Sequence, residues 1–183
     1  MSSMNEKTKT DLLQEKLRSA HVVRERKRLR DLYGEKLVGE VNLAMGQSLS
    51  LNDFDSSAEE PTKLNWAKNL PDSEGLVVSY VGKADADTIL HCIRDKLGWM
   101  SGLIGFHDNS FLGLAHLNQV DSSRLLVLAE SVEDSVVFYS DLPSGVIMVD
   151  CYMSQPGDPF SIIVQGDDLV SRLRGCFPMG PKL

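Results

Sequence analysis

The chain has 183 residues, 42% apolar and 25% charged, which suits one cored domain with an appendage. Its net charge of −7 is uneven: residues 1–38 hold ten Lys/Arg against six Asp/Glu, and residues 39–183 hold nine against twenty. A body at −11 repels nucleic acid and anionic bilayers, so only the front, at +4, suits either.

From about Lys9 to Val38 the sequence is dense in helix formers and free of proline, with Thr10 or Asp11 as N-cap. Leu13, Leu17 and Ala20 form one narrow apolar stripe, and Val22, Leu29, Tyr33 and Leu37 continue a rotated one. Gly34 and Gly39 are expected to weaken its far end. Within it, Arg24, Arg26, Lys27, Arg28 and Arg30 place five cations in seven residues. They form either a solvated face, a dock for an acidic partner, or a phosphate contact through residues 24–30. No aromatic residues interleave with them to stack on bases, which disfavours nucleic acid.

Residues 39–74 show weak periodicity and read as a linker draped on the domain, with Leu49, Leu51, Phe54, Leu64, Trp66 and Leu70 as its contacts. Leu76 to Val81 reads as a strand. A helix capped by Asp85 or Asp87 follows to Leu97, its stripe made by Ala86, Ile89, Leu90, Ile93 and Leu97, with Gly98 as its stop.

Six short apolar runs come next: Leu103 to Phe106, Phe111 to Leu117, Leu125 to Ala129, Val136 to Tyr139, Val146 to Met153 and Phe160 to Val164. The inserts between them are too short for crossover helices, so the runs are expected to pair as an antiparallel meander. Asp167 and Asp168 then open a short helix carrying Leu169, Val170 and Leu173 inward. The fold class is α+β: an antiparallel β meander of about six strands covered by one or two helices and preceded by a long basic N-terminal helix. The divisions are a basic amphipathic helix (1–38), a draped linker (39–74), an α+β sheet domain (75–177) and a flexible tail (178–183).

Three cysteines, Cys92, Cys151 and Cys176, lie at no metal-like spacing and predict reduced thiols in a reducing compartment, with Cys151 a small core residue. No run approaches the roughly 20 apolar residues that cross a bilayer, and Met1 to Thr10 lacks a signal-peptide core, which predicts a cytoplasmic protein without a membrane partner. With His107 to Ser110 as a four-residue turn, His116 would face Ser101, too far from His107 to share an ion. No nucleophile elbow or phosphate loop is present. The sequence therefore predicts no metal, no cofactor and no enzymatic role.

What remains is binding. The acidic body predicts an inhibitor, immunity-type or adaptor protein that recognises a basic protein through carboxylates in or beside turns: Asp121, Glu130, Glu133, Asp134 and Asp141. The alternatives are a nucleic-acid-associated subunit using the basic helix and an enzyme whose site is assembled from distant residues. An exposed edge strand or the front helix offers a route to a homodimer.

Overall fold

The computed structural model describes the backbone of residues 9–58, 76–151 and 160–177, with side chains over 13–58, at 79, and over 81–151 and 160–177. The expectations placed on Leu64, Trp66, Leu70, Met153 and the tail 178–183 lie outside these residues.

The first helix, α1 (Lys9–Met45), runs without a break through the position where the linker was expected to begin. Gly34 does not weaken it. A Cβ there would approach Leu51 Cδ1 to 2.7 Å, so the glycine lets a 3₁₀ turn at Leu51–Asp53 lie against the helix. After that turn Phe54 is buried, while Leu49 and Leu51 are packed against the core, the drape expected of this segment.

Among the described residues six strands form one sheet: β1 (Leu76–Val81), β2 (Met100–Phe106), β3 (Ala115–Val120), β4 (Val136–Ser140), β5 (Gly145–Asp150) and β6 (Phe160–Gln165). The sheet order is β1-β6-β5-β4-β2-β3, and every pairing is antiparallel. Between them lie α2 (Lys83–Leu97), which buries Ala86, Ile89, Leu90 and Ile93, and α3 (Arg124–Val132), with α4 (Asp167–Leu173) after β6. α2 starts at Lys83 with Gly82 as its cap, ahead of the aspartates expected to cap it.

The expected meander is correct for β4, β5 and β6 and fails at one place. Leu125 to Ala129 is not a strand but the body of α3, which buries Leu125, Leu126, Leu128 and Ala129 and leaves Val127 exposed. A short apolar run carries no periodicity that separates a strand from a buried helix. Because α3 intervenes, β4 does not pair with β3 but with the far side of β2.

All four α-helices among the described residues contribute to one core on one face of the sheet, more cover than the one or two expected. Val137, Tyr139, Val146, Met148 and Ile163 form a second apolar cluster on the other face. The central strands are thus buried on both sides, which is why they read as continuous apolar runs without alternation.

The second expected run also shifts. Phe111 and Leu112 are buried from a turn, Leu112 N–H donating to Asn109 O at 3.0 Å, and β3 begins only at Ala115. His116 accordingly faces Leu103, not Ser101.

The thiol expectation fails for two of the three cysteines. Cys92 in α2 and Cys176 in a 3₁₀ turn after α4 form a disulfide, with Cα atoms 5.5 Å apart across 84 residues of sequence. Packing of α4 and the 3₁₀ turn after it against α2 brings them together, and spacing along the sequence cannot reveal that. Cys151 is free and buried in the same core as Ile147 and Val149, as expected, although β5 ends at Asp150, just before it.

Candidate functional site

At 1.5 Å per residue the 37 residues of α1 span about 55 Å, and among its described apolar side chains those packed in the core lie from Leu29 onward. Leu37, Val38, Val41, Ala44 and Met45 are buried. From Leu13 to Arg28 every side chain is exposed except the half-exposed Glu25. Leu13, Leu17, Val22 and Val23 are each between 50% and 66% exposed. The first half of α1 is therefore a projecting arm that carries aliphatic side chains in water.

Arg30 marks where the arm leaves the body. Its Nη2 donates to Leu51 O and Phe54 O, both at 2.7 Å, and its Nη1 donates to Leu112 O. The guanidinium thus clamps the Leu51 turn and the loop before β3 onto the helix. It is an internal clasp and not a surface cation, so it leaves the expected partner-binding set. Arg24, Arg26, Lys27 and Arg28 do lie on the arm, exposed. Arg24 Nε donates to Ala20 O at 3.2 Å, and Arg28 pairs with Glu25 at 2.5 Å. That hydrogen bond holds the Glu25 carboxyl below its ordinary pKa.

The five carboxylates expected to form an acidic rim are dispersed. Asp134 is only 2% exposed, and its carboxylate accepts the N–H groups of Asp108 at 3.0 Å, Asn109 at 2.8 Å and Ser135 at 2.6 Å, plus Asn109 Nδ2 at 2.9 Å. It fastens the loop after β2 and presents nothing to a partner. Sequence reasoning placed it on the rim because a buried carboxylate satisfied by loop N–H groups looks, in one dimension, like any Asp in a turn. Glu130 is half-buried and pairs with Lys83 Nζ at 2.5 Å, joining α3 to α2; that bond raises the Lys83 pKa. Asp121 accepts Ser123 N–H at 2.9 Å and Ser123 Oγ–H at 2.7 Å, forming the turn into α3.

Only Glu133 and Asp141 are exposed, and they do not meet. Glu133 caps the C-terminal end of α3 in a left-handed conformation, φ 52°. Asp141 sits in the β4–β5 turn with its Oδ2 3.0 Å from His116 Nε2, both side chains about half exposed.

That turn lies against the start of β2. Asp141 N–H donates to Ser101 O at 2.9 Å, and Ser140 pairs with Gly102. Two large apolar side chains flank this contact in the open: Trp99, 71% exposed, just before β2, and Leu142, 84% exposed, just after Asp141. Sequence reasoning missed both. The available signal was a tryptophan directly after the helix-stopping Gly98, outside any apolar periodicity.

Cys151 has its thiol pKa raised, first by burial and then by nearby carboxylates, the reverse of an activated nucleophile. Among the described residues no three His, Cys, Asp or Glu side chains gather as metal ligands, and no helix is long and apolar enough to cross a membrane. In comparisons with known proteins the chain matches no family, no curated protein and no solved structure.

Proposed function

We propose that this protein is a protein-binding module and that the projecting half of α1 is its recognition element. The observation that carries the reading is the run from Leu13 to Arg28, which is helical and, apart from the half-exposed Glu25, exposed. A helix of this length gains little from propensity alone in water, and burial of an aliphatic side chain contributes about 1.5–3 kcal/mol. Leu13, Leu17, Val22 and Val23 are therefore the side chains that reward an occupant groove. The cations beside them favour a groove bordered by carboxylates.

This reverses the charge of the expected partner. A basic protein was expected on an acidic rim, but of that rim Asp134 is interior, Glu130 is ion-paired and Asp121 is held in a turn. The acidic body acts as a long-range field that repels polyanions and leaves the arm as the binding part.

The test is affinity capture from the native cell with the intact chain and with L13S/L17S/V23S. The variant is expected to lose the partners that the intact chain retains, and retention of the same partners overturns the reading. Polynucleotide binding by Arg24, Arg26, Lys27 and Arg28 is the second reading, favoured by their exposure on the arm. Binding of this kind survives the serine substitutions and falls steeply with salt.

A further inference from the structure

We propose that the occupant of the arm is a second copy of this chain, and that the arm of each copy docks on the Trp99–Leu142 patch of the other. The inference rests on the reading of the arm as a recognition element and names its partner.

The patch is built at one corner of the sheet. Asp141 N–H to Ser101 O and the Gly102–Ser140 pairing set the β4–β5 turn beside the start of β2, so Trp99 and Leu142 flank one contact. Carboxylates border it: Asp141 beside Leu142, exposed although 3.0 Å from His116 Nε2, and Asp95, four residues before Trp99, exposed although paired with Arg94 at 2.7 Å. An exposed aromatic with an aliphatic neighbour and bordering carboxylates matches what the arm offers. Leu13, Leu17 and Val23 fill apolar contacts, and Arg24, Arg26 and Lys27 supply cations for the carboxylates and the indole face. Residues 9–28 carry seven Lys/Arg against three Asp/Glu, whereas residues 39–183 sum to −11. The chain thus contains both halves of a charge-complementary pair.

The arm cannot reach its own patch. Gln47 Nε2 donates to Asn118 O at 3.0 Å, which fixes the C-terminal end of α1 near the end of β3. That end of β3 borders the start of β2, since Val120 pairs with Met100. Arg30, 17 residues earlier, is fixed at Leu112, before β3 begins. Packed on α3, α1 therefore runs from the Leu112 loop towards the far end of β3, and its arm leaves at the sheet's other end. At 1.5 Å per residue Leu13 lies about 25 Å beyond Arg30 and about 50 Å along the axis from Gln47. Only another copy brings an arm to Trp99. Two copies related by a two-fold axis exchange arms, fill both patches and close the assembly.

Sedimentation velocity of the full chain tests this, with two variants confined to exposed positions: W99S/L142S on the patch and R24E/R26E/K27E on the arm. The full chain is expected to be dimeric, and each variant to raise the dimer dissociation constant about tenfold or more. Mixing the two variants should restore part of the dimer, because one intact arm then meets one intact patch. A full chain that stays monomeric up to its solubility limit, or a dimer indifferent to either variant, overturns the proposal. A monomeric full chain whose arm still captures a different protein sinks this inference alone. A dimer unaffected by the arm substitutions, together with capture unaffected by L13S/L17S/V23S, sinks both.

Discussion

The clasp made by Arg30 separates one cation from four that look identical in sequence, and its removal has a calculable cost. Substitution by methionine keeps most of the aliphatic stem and deletes the guanidinium. The carbonyls of Leu112, Leu51 and Phe54 then lose a charged donor at partly buried positions. At about 1 kcal/mol for each acceptor left without its partner, Arg30→Met destabilises by about 3 kcal/mol. Arg26→Met, on the exposed arm, is expected to change stability by no more than about 0.5 kcal/mol. With a urea m-value of about 2 kcal/mol/M for a domain of this size, the Arg30 variant's midpoint falls by about 1.5 M. Hydrogen exchange should quicken together in the segments around Leu51–Phe54 and Asn109–Leu114, because one group holds both. Equal urea midpoints for the two variants would refute the clasp and return Arg30 to the surface cluster.

Four further outcomes are expected. Asp134→Ala removes the acceptor for three backbone N–H groups and one amide, and should cost about 3 kcal/mol in urea denaturation, whereas Glu133→Ala, one residue earlier and exposed, should cost almost nothing. Gly113→Ala should destabilise by about 2 kcal/mol or more, since the position has φ +92° and a Cβ would meet Asp55 O at 2.3 Å; a midpoint unchanged from the parent would contradict the packing of Asp55 on Leu114. In the unreduced folded protein an alkylating reagent should label no thiol rapidly, and after mild reduction it should label Cys92 and Cys176 before Cys151, with stability falling by up to about 4 kcal/mol as the long loop opens. Asp53 and Asp55 have carboxyl pKa values below the ordinary 3.8, chiefly through hydrogen bonds from Ser50 and Ser57. Their contribution is whole above pH 3.8 and is lost as pH falls through the lower folded values, so amide exchange at Ser50 and Ser57 should quicken only in that acid window.

Most of the architecture could be read from patterns that survive in one dimension. The stripe on α2 and the turn-bounded runs of β4, β5 and β6 identify themselves because their periodicity or composition is local. Leu125 to Ala129 misled because four buried residues in five look alike in a strand and in a short buried helix; only the Asp121–Ser123 turn ahead of it favours a helix. The surface was harder to read. Asp134 and Arg30 carry full charges yet spend them largely on backbone groups distant in sequence, 25 residues away at Asn109 and 24 at Phe54, so charge-counting assigned both to partners. The disulfide escaped for the same reason, since its halves are 84 residues apart. Trp99 and Leu142 come together through a single backbone contact, Asp141 to Ser101, which no spacing encodes.

The route of the chain through its sheet also governs when the domain can be completed during synthesis. β1 has β6 as its neighbour in the sheet, so the first of the described strands must wait for the last of them before its hydrogen bonds have a home. The covalent tie from α2 likewise waits for Cys176. A ribosome-bound chain that has not yet delivered residues 160–177 therefore holds an unzipped border, with β1 unpaired and one edge of β5 open until β6 slots in between them.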